Sequence, residues 1–147
     1  MNAYKTIILA VDLTNESEQV AERAAQLATN GGLIHLVHVV EPISFAYGGD
    51  IPLDFSSVQE EIQKQAELHM EKLAAAHQIP KEQQHLLVGR PESEVHSLAE
   101  KLDADVIVVG SHGRHGLALI LGSTANGILH GAICDVLAVR ISENENR

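Results

Sequence analysis

The chain has 147 residues, of which 45% are hydrophobic and 20% are charged, the composition of one ordinary globular domain. Its net charge of −10 argues against binding to nucleic-acid phosphates or to anionic lipid. A single cysteine, Cys134, excludes an intrachain disulfide, and no apolar run reaches the roughly 18 residues of a membrane span. The amino-terminal apolar run is also too short for a secretory signal. We therefore expect one domain over residues 1–147, located in the cytoplasm, with neither nucleic acid nor a membrane as its partner.

The amino-terminal segment predicts a buried strand followed by a helix. Residues 7–11 form a continuous, mainly β-branched run, which is typical of a strand covered on both faces of a parallel sheet. Asn15 and Glu18 stand at the spacing of a capping box, and residues 30–32 (Asn-Gly-Gly) are of the types that end helices. The expected inner face of this helix consists of Val20, Ala24, Leu27 and Ala28.

The next segment predicts a second strand, a loop and a long helix. Residues 33–40 form the second buried strand, and the Gly- and Pro-containing residues 41–55 form the loop. The helix begins at Ser56 or Ser57 and ends near His77. Its apolar side chains recur at helical spacing, so we expect an inner face of Val58, Ile62, Ala66, His69, Met70 and Leu73.

The remaining elements follow in the same alternation. A third strand covers residues 84–88, and Pro91 suits the first position of the next helix. The fourth strand, residues 105–110, is the clearest in the chain; a helix at 124–131 and a last strand at 135–141 follow. The expected inner faces are Val95, Leu98, Ala99 and Leu102 for the first of these helices, and Ile128 and Leu129 for the second.

Strands and helices thus alternate along the whole chain. Alternation predicts one parallel sheet of five strands with helices on both faces, which is a doubly wound α/β fold. In such folds a ligand binds beyond the carboxyl ends of the strands, at the point where the strand order reverses. The candidate site therefore includes Asp12, Leu13, Val40, Glu41 and the residues after Val109.

The segment after the fourth strand carries the strongest functional signal. Gly110 and Gly113 permit backbone N–H groups to approach an anion closely, and Arg114 offers a compensating charge. Residues 122–124 (Gly-Ser-Thr) open a helix, whose amino terminus attracts anions. These features predict a phosphate-binding loop. The alternative is a surface loop in which Ser123 only caps the helix.

Patterns of known catalytic sites are missing from the sequence. It has no P-loop, no dinucleotide fingerprint after the first strand and no Gly-x-Ser-x-Gly elbow. Cys134 follows an apolar residue, which favours an inert thiol over a nucleophile. Asp12 is the one carboxylate near the candidate phosphate site, so Mg-dependent hydrolysis lacks its usual ligands. We expect no enzymatic activity, with slow ATP hydrolysis as the alternative.

Nine histidines raise the question of a metal site. His112 and His115 lie on the glycine-rich loop, whereas His35 and His38 face opposite sides of one strand because their spacing is odd. A catalytic zinc site needs about three converging ligands, and no neighbouring set supplies them. We therefore expect no metal, with a pH-responsive surface as the alternative use of these residues.

Taken together, these segments resemble the universal stress protein family over nearly the whole chain. The matching segments are YKTIILAVD (4–12), HV (38–39), GRP (89–91), DVIVVGSHG (105–113) and CDVLAVR (134–140). The resemblance implies an α/β fold like that of the adenine nucleotide alpha-hydrolases, with strand order 3-2-1-4-5. It also implies a cytoplasmic homodimer paired through the last strand, and a role in the stress response through regulatory protein partners.

The family has an ATP-binding branch with a Gly-x2-Gly-x9-Gly-Ser/Thr loop and a UspA-type branch not known for nucleotide binding. Here Gly110, Gly113, Gly122 and Ser123 match the loop, but eight residues instead of nine separate Gly113 from Gly122. The start of the chain and its acidic balance resemble the UspA type. Two functions stay open: a non-enzymatic regulatory homodimer that requires no cofactor, and a switch that binds ATP or another adenine nucleotide.

If the ATP-binding branch applies, the resemblance assigns a nucleotide contact to each matching position. Asp12 would contact the ribose or the phosphates, and Val39 would form a backbone hydrogen bond to adenine. The alternatives are a turn-forming role for Asp12 and plain core packing for Val39. The full set of nucleotide-binding residues implied is Ala10, Val11, Asp12, Val39, Val109, Gly110, Gly113, Gly122, Ser123 and Thr124.

Overall fold

The computed structural model describes residues 4–28, 32–42, 56–111 and 122–141. Strands and helices alternate through these residues, as the sequence predicts. The strands are β1 (Thr6–Ala10), β2 (Leu33–Val40), β3 (Gln84–Val88), β4 (Val106–Ser111) and β5 (Asp135–Arg140). The helices are α1 (Ser17–Leu27), α2 (Ser56–Ala76), α3 (Pro91–Leu102) and α4 (Ser123–Gly131), with a short 3-10 turn at Lys81–Gln83.

The strands form one five-stranded sheet in the order β3-β2-β1-β4-β5, which confirms the predicted order. Every neighbouring pair is parallel, with β1 at the centre. Ala10 at the end of β1 stands opposite Val37 of β2 and Val109 of β4. The carboxyl ends of these three strands therefore meet at one edge of the sheet, where a ligand site is expected.

The central strands β1 and β4 are buried on both faces, as their continuous apolar runs predict, whereas the edge strands β3 and β5 are only partly buried. Because successive side chains of a strand point to opposite faces, the core divides into two clusters. One joins the sheet to α1 and α2 and includes Ile7, Leu9, Leu36, Ala24 and Met70. The other joins the opposite face to α3 and α4 and includes Ile8, Val37, Ile107, Val95 and Ile128. Each fully buried Ile or Leu contributes about 1.5–3 kcal/mol, so these clusters hold the strand ends in place.

The first helix does not begin as predicted. Glu16 is its N-cap residue and no side chain caps it, so the prediction of a capping box at Asn15 and Glu18 is wrong. A tight turn precedes the helix instead, in which the N–H of Ser17 donates to the carbonyl of Thr14 at 3.0 Å. This turn orients the chain between β1 and α1 and so shifts the helix start past Asn15.

Some side chains predicted to face the core lie at the surface. Val58 and Ile62 of α2 are 49% and 42% exposed, and Leu129 of α4 is 48% exposed. A helix of 21 residues is about 31 Å long, longer than the strands it covers, so its first turns extend beyond the sheet. In the short α4, Ile128 takes the buried position and Leu129 points about 100° away from it.

No helix in the described part of the chain is long and apolar enough to cross a membrane.

Candidate ligand-binding site

A cleft of about 730 Å³ opens where β1, β2 and β4 end, within the usual size range of ligand pockets. The chain leaves β1 towards one face of the sheet and β4 towards the other, so the connections that follow these two strands diverge here. The predicted site residues that line the cleft are Ala10, Val11, Asp12, Val39, Val109, Gly110, Gly122, Ser123 and Thr124. Gly113, with Arg114, His112 and His115, lies outside the described residues.

Sequence reasoning missed a second part of the lining. These residues are Thr14, Glu16, Ser17, Val20, Val37, His38, Pro91, Val95, Ile128 and Ile141. Half of them belong to helices packed over the strand ends, and only the three-dimensional fold brings these to the cleft. His38 is the exception, because a polar residue near the carboxyl end of an apolar strand is visible in the sequence.

Asp12 organises the turn between β1 and α1. Its Oδ1 accepts hydrogen bonds from the N–H of Thr14 at 3.2 Å and from the hydroxyl of Ser17 at 3.4 Å. The hydroxyl of Thr14 lies 2.9 Å from Asp12 Oδ1 and 3.0 Å from Glu16 Oε1, so its single proton serves one carboxylate at a time. Leu13 has a positive φ of 59°, a conformation that its packing against the core holds in place. Asp12 therefore shapes this wall of the cleft as well as lining it.

Gly110 keeps the floor of the cleft free of a side chain. A Cβ atom at this position would lie 2.7 Å from Cδ1 of Ile141 and 3.0 Å from Cγ2 of Val20. Both neighbours line the cleft, so a larger residue would displace them into it. The next residue, Ser111, donates its hydroxyl to the carbonyl of Val139 at 3.1 Å, which ties the end of β4 to β5.

The start of α4 lies at the same cleft. Gly122 is the N-cap residue, in an extended conformation, and no side chain caps the helix. The alternative in which Ser123 caps this helix is therefore wrong, since Ser123 is its first residue. The exposed hydroxyls of Ser123 and Thr124 line the cleft beside the uncapped N–H groups of the first turn. Such an arrangement offers hydrogen-bond donors to an anion.

The side chain of His38 forms a hydrogen bond with the backbone just after β1. Its Nδ1 lies 2.8 Å from the carbonyl oxygen of Val11. A carbonyl oxygen only accepts hydrogen bonds, so Nδ1 carries a proton and donates it. In the neutral ring, Nε2 is then a hydrogen-bond acceptor.

Two further histidines meet near the opposite end of the sheet. Nδ1 of His35 lies 3.0 Å from Nε2 of His85 on the neighbouring strand. Burial lowers the pKa of both rings, and the positive charges of His35 and Lys101 lower the pKa of His85 further. The pair is therefore favoured in the neutral form, with one ring donating an N–H to the other.

Among the described residues, no group of three His, Cys, Asp or Glu could hold a metal ion.

Cys134 lies just before β5, at the amino ends of the strands and away from the cleft. It is half-buried, and burial raises the pKa of its thiol, with smaller contributions from Asp135 and Asp105. A raised pKa disfavours the reactive thiolate, in agreement with the expectation of an inert thiol.

The fold and the cleft define an α/β domain with a ligand site at the carboxyl edge of its parallel sheet. Comparison with known proteins makes this class specific: the chain belongs to the universal stress protein family, whose family model matches residues 3–140. Universal stress protein A homolog 1 of Coxiella burnetii is 44% identical over 142 residues, which cover 95% of this chain and 99% of that protein.

Solved structures share the fold at lower identity. A structure described as hypothetical protein MJ0577 is similar with a TM-score of 0.78 and 21% identity, over 97% of this chain and all of that one. A universal stress protein in complex with cAMP is similar with a TM-score of 0.66 and 20% identity, over 96% of this chain and 100% of that one. These similarities show that the chain shares its fold with both structures.

Proposed function

We propose that this chain is a regulatory protein of the stress response that works by binding an adenine nucleotide in the cleft, without catalysing a reaction on it. The observation that carries the proposal is the cleft itself. It joins an apolar wall, including Val11, Val37 and Val39, to the uncapped start of α4. An apolar wall suits a base, and a helix amino terminus suits a phosphate. The structural neighbour in complex with cAMP supports this assignment, since it has the same fold.

The carboxylates that line the cleft favour binding of the nucleotide without its hydrolysis. Among the described residues of the lining, Asp12 and Glu16 are the carboxylates, and Asp12 Oδ1 already accepts hydrogen bonds within its own turn. A Mg-dependent hydrolase needs groups that hold the metal and orient a water molecule. ATP turnover that disappears in Asp12→Ala would instead support the alternative of a slow ATPase.

The proposal predicts a ligand affinity that depends on charge at the start of α4. Ser123→Glu places a carboxylate where the phosphates bind, and we expect it to weaken the binding of Mg-ATP and of cAMP by about tenfold or more. Adenosine, which has no phosphate, should lose little affinity. Isothermal titration calorimetry with the three compounds measures both effects. A negative charge in the first turn favours the helix, so the variant should stay folded.

The matched control is Ser97→Glu, the same change at an exposed position of α3 that does not line the cleft. It should leave all affinities within about twofold of those of the unaltered protein. The proposal would be overturned if the unaltered protein bound neither Mg-ATP nor cAMP at millimolar concentration. An equal loss of adenosine and ATP binding in Ser123→Glu would contradict the placement of the phosphates.

We further propose that the chain acts in the cytoplasm as a homodimer paired through β5, and that it signals through protein partners. The support is the position of β5 at the edge of the sheet, where only β4 pairs with it among the described strands. An unpaired edge strand tends to pair with another chain. Sedimentation at micromolar concentration tests the dimer, and a monomeric mass would contradict it. Cell fractionation tests the location.

A further inference from the structure

The hydrogen-bond ladder between β1 and β2 stops one bond short at the cleft. Ala10 stands opposite Val37, and beyond this pair the N–H of Val11 donates to the carbonyl of Val37 at 3.0 Å. In a parallel ladder of this register, the next bond would run from the N–H of Val39 to the carbonyl of Val11. The described residues contain no such backbone bond.

The imidazole of His38 takes the place of the missing donor. Its Nδ1–H donates to the carbonyl of Val11 at 2.8 Å, so this oxygen has a partner even though the N–H of Val39 does not reach it. The N–H and C=O of one residue point to the same side of a strand. Both groups of Val39 therefore lie on the side of β2 that faces β1, past the point where β1 ends, and Val39 lines the cleft.

The sheet order indicates which part of a ligand meets Val39. β2 lies on one side of β1, whereas β4 and the start of α4 lie on the other side. If phosphates bind at the start of α4, the opposite end of the cleft receives the base. An N–H beside a C=O suits a heteroaromatic ring that carries an acceptor nitrogen next to an amino group, as adenine does.

We propose that His38 is a positioning residue for the ligand: by occupying the carbonyl of Val11, it releases the backbone N–H of Val39 to bind the base. The role rests on the nucleotide-binding function proposed above. His38 acts through Val39 and needs no contact of its own with the ligand. Without the imidazole, the ladder between β1 and β2 would gain one bond, and the cleft would lose one donor.

Substitutions at His38 test this role because Asn and Gln differ in reach. Asn places its side-chain N–H at the same number of bonds from Cβ as Nδ1 of His, whereas Gln places it one bond further. We expect His38→Asn to bind Mg-ATP within about twofold of the unaltered protein, and His38→Gln and His38→Leu to bind about tenfold more weakly. Equal affinity of the Leu variant and the unaltered protein would overturn the proposal. Circular dichroism and the urea midpoint of each variant establish that it is folded.

A measurement on the ligand-free protein separates this inference from the nucleotide-binding proposal. The N–H of Val37 lies inside the ladder, so its hydrogen exchange is the internal reference. We expect the Val39 amide to exchange at least about tenfold faster than that of Val37 in the unaltered protein, and to slow by about tenfold in His38→Leu as the ladder closes.

Different results would contradict the role of His38 and the nucleotide-binding proposal. If Val39 already exchanges as slowly as Val37 in the unaltered protein, its N–H is not released and the role of His38 is overturned. If Val39 exchanges as expected but no variant binds Mg-ATP or cAMP, the nucleotide-binding proposal fails, and with it the claim that the released N–H serves a base. Protection of the Val39 amide on addition of Mg-ATP, in the unaltered protein and in His38→Asn alone, supports both.

Discussion

Single residues at the end of β1 shape the cleft through local hydrogen bonds and backbone geometry. Asp12 Oδ1 accepts hydrogen bonds from the N–H of Thr14 and from the hydroxyl of Ser17. The neighbouring residue, Leu13, has a left-handed backbone conformation. A side chain in this conformation costs roughly 1 kcal/mol or more, which the surrounding contacts must offset. The turn is therefore expected to be sensitive to the loss of its central acceptor.

The change Asp12→Ala tests this expectation. Removing the shared acceptor leaves the N–H of Thr14 without its carboxylate partner, and we expect the free energy of unfolding to fall by about 1–2 kcal/mol. Urea denaturation measures the change. Glu22→Ala, an exposed position on α1, is the control and should change stability by less than about 0.5 kcal/mol. Equal effects of the two substitutions would show that the carboxylate does not organise the turn.

The sequence predicted part of the site at this scale and missed the rest for identifiable reasons. Gly110 lies near the end of β4, Asp12 shortly after β1 and Gly122 just before α4, so residue type and position together marked them. His38 was assigned only to a face of its strand, because its role depends on which backbone group of β1 lies opposite. That register is set by packing across the sheet, so it cannot be read from the spacing of residues along the chain.

At the scale of elements, the strands were predicted better than the helix faces and ends. A continuous apolar run such as residues 106–109 is typical of a strand covered on both sides of a sheet, and β4 spans those residues. Helix faces depend on how far a helix extends past the sheet, which is why Val58 and Ile62 proved exposed. The capping box at Asn15 failed for a related reason, since the turn set by Asp12 decides where α1 begins.

The contact between β2 and β3 predicts a pH dependence of stability. Burial lowers the pKa of His35 and His85 in the folded chain, below the value of about 6.5 expected when unfolded. The unfolded state then binds more protons, so stability falls as the pH drops below about 6.5 and levels off once both folded rings are protonated. We expect the unfolding free energy, measured by urea titration, to decrease between about pH 7.5 and pH 5.

Replacing the pair by His35→Leu with His85→Leu should flatten this dependence, because two apolar side chains bind no protons. The exposed His69→Gln serves as the control and should retain the slope of the unaltered protein. If the double variant kept the full slope, the pair would not be its source. Lys101, whose charge lowers the pKa of His85, is the nearby cation to hold constant in these experiments.

At the scale of the whole molecule, the sheet formed by the described residues has two edge strands, each paired on one side only. β3 forms one edge and β5 the other. Two apolar side chains, Leu129 at 48% and Ile133 at 63% exposure, lie just before β5 in the chain. Together with the edge position of β5, these exposed side chains support the proposal that a second copy pairs there.

We expect Leu129→Glu combined with Ile133→Asp to weaken the proposed dimer by at least about tenfold, because burying two unpaired carboxylates opposes association. Both side chains are exposed in the single chain, so its unfolding free energy should change little. Sedimentation velocity over a concentration series measures the dissociation constant. Leu68→Glu on α2, where the side chain is 54% exposed, is the matched control and should leave the dimer intact.

Several residues that line the cleft have a small side chain or none. Ala10, Gly110 and Gly122 leave the peptide groups at the ends of their elements accessible, and His38 is inferred to do the same for Val39. Alanine scanning would therefore detect few of the groups that meet a ligand, because replacing a side chain does not remove the amide behind it. Changes that alter peptide groups, such as proline substitution or amide-to-ester replacement, are the informative probes of this surface.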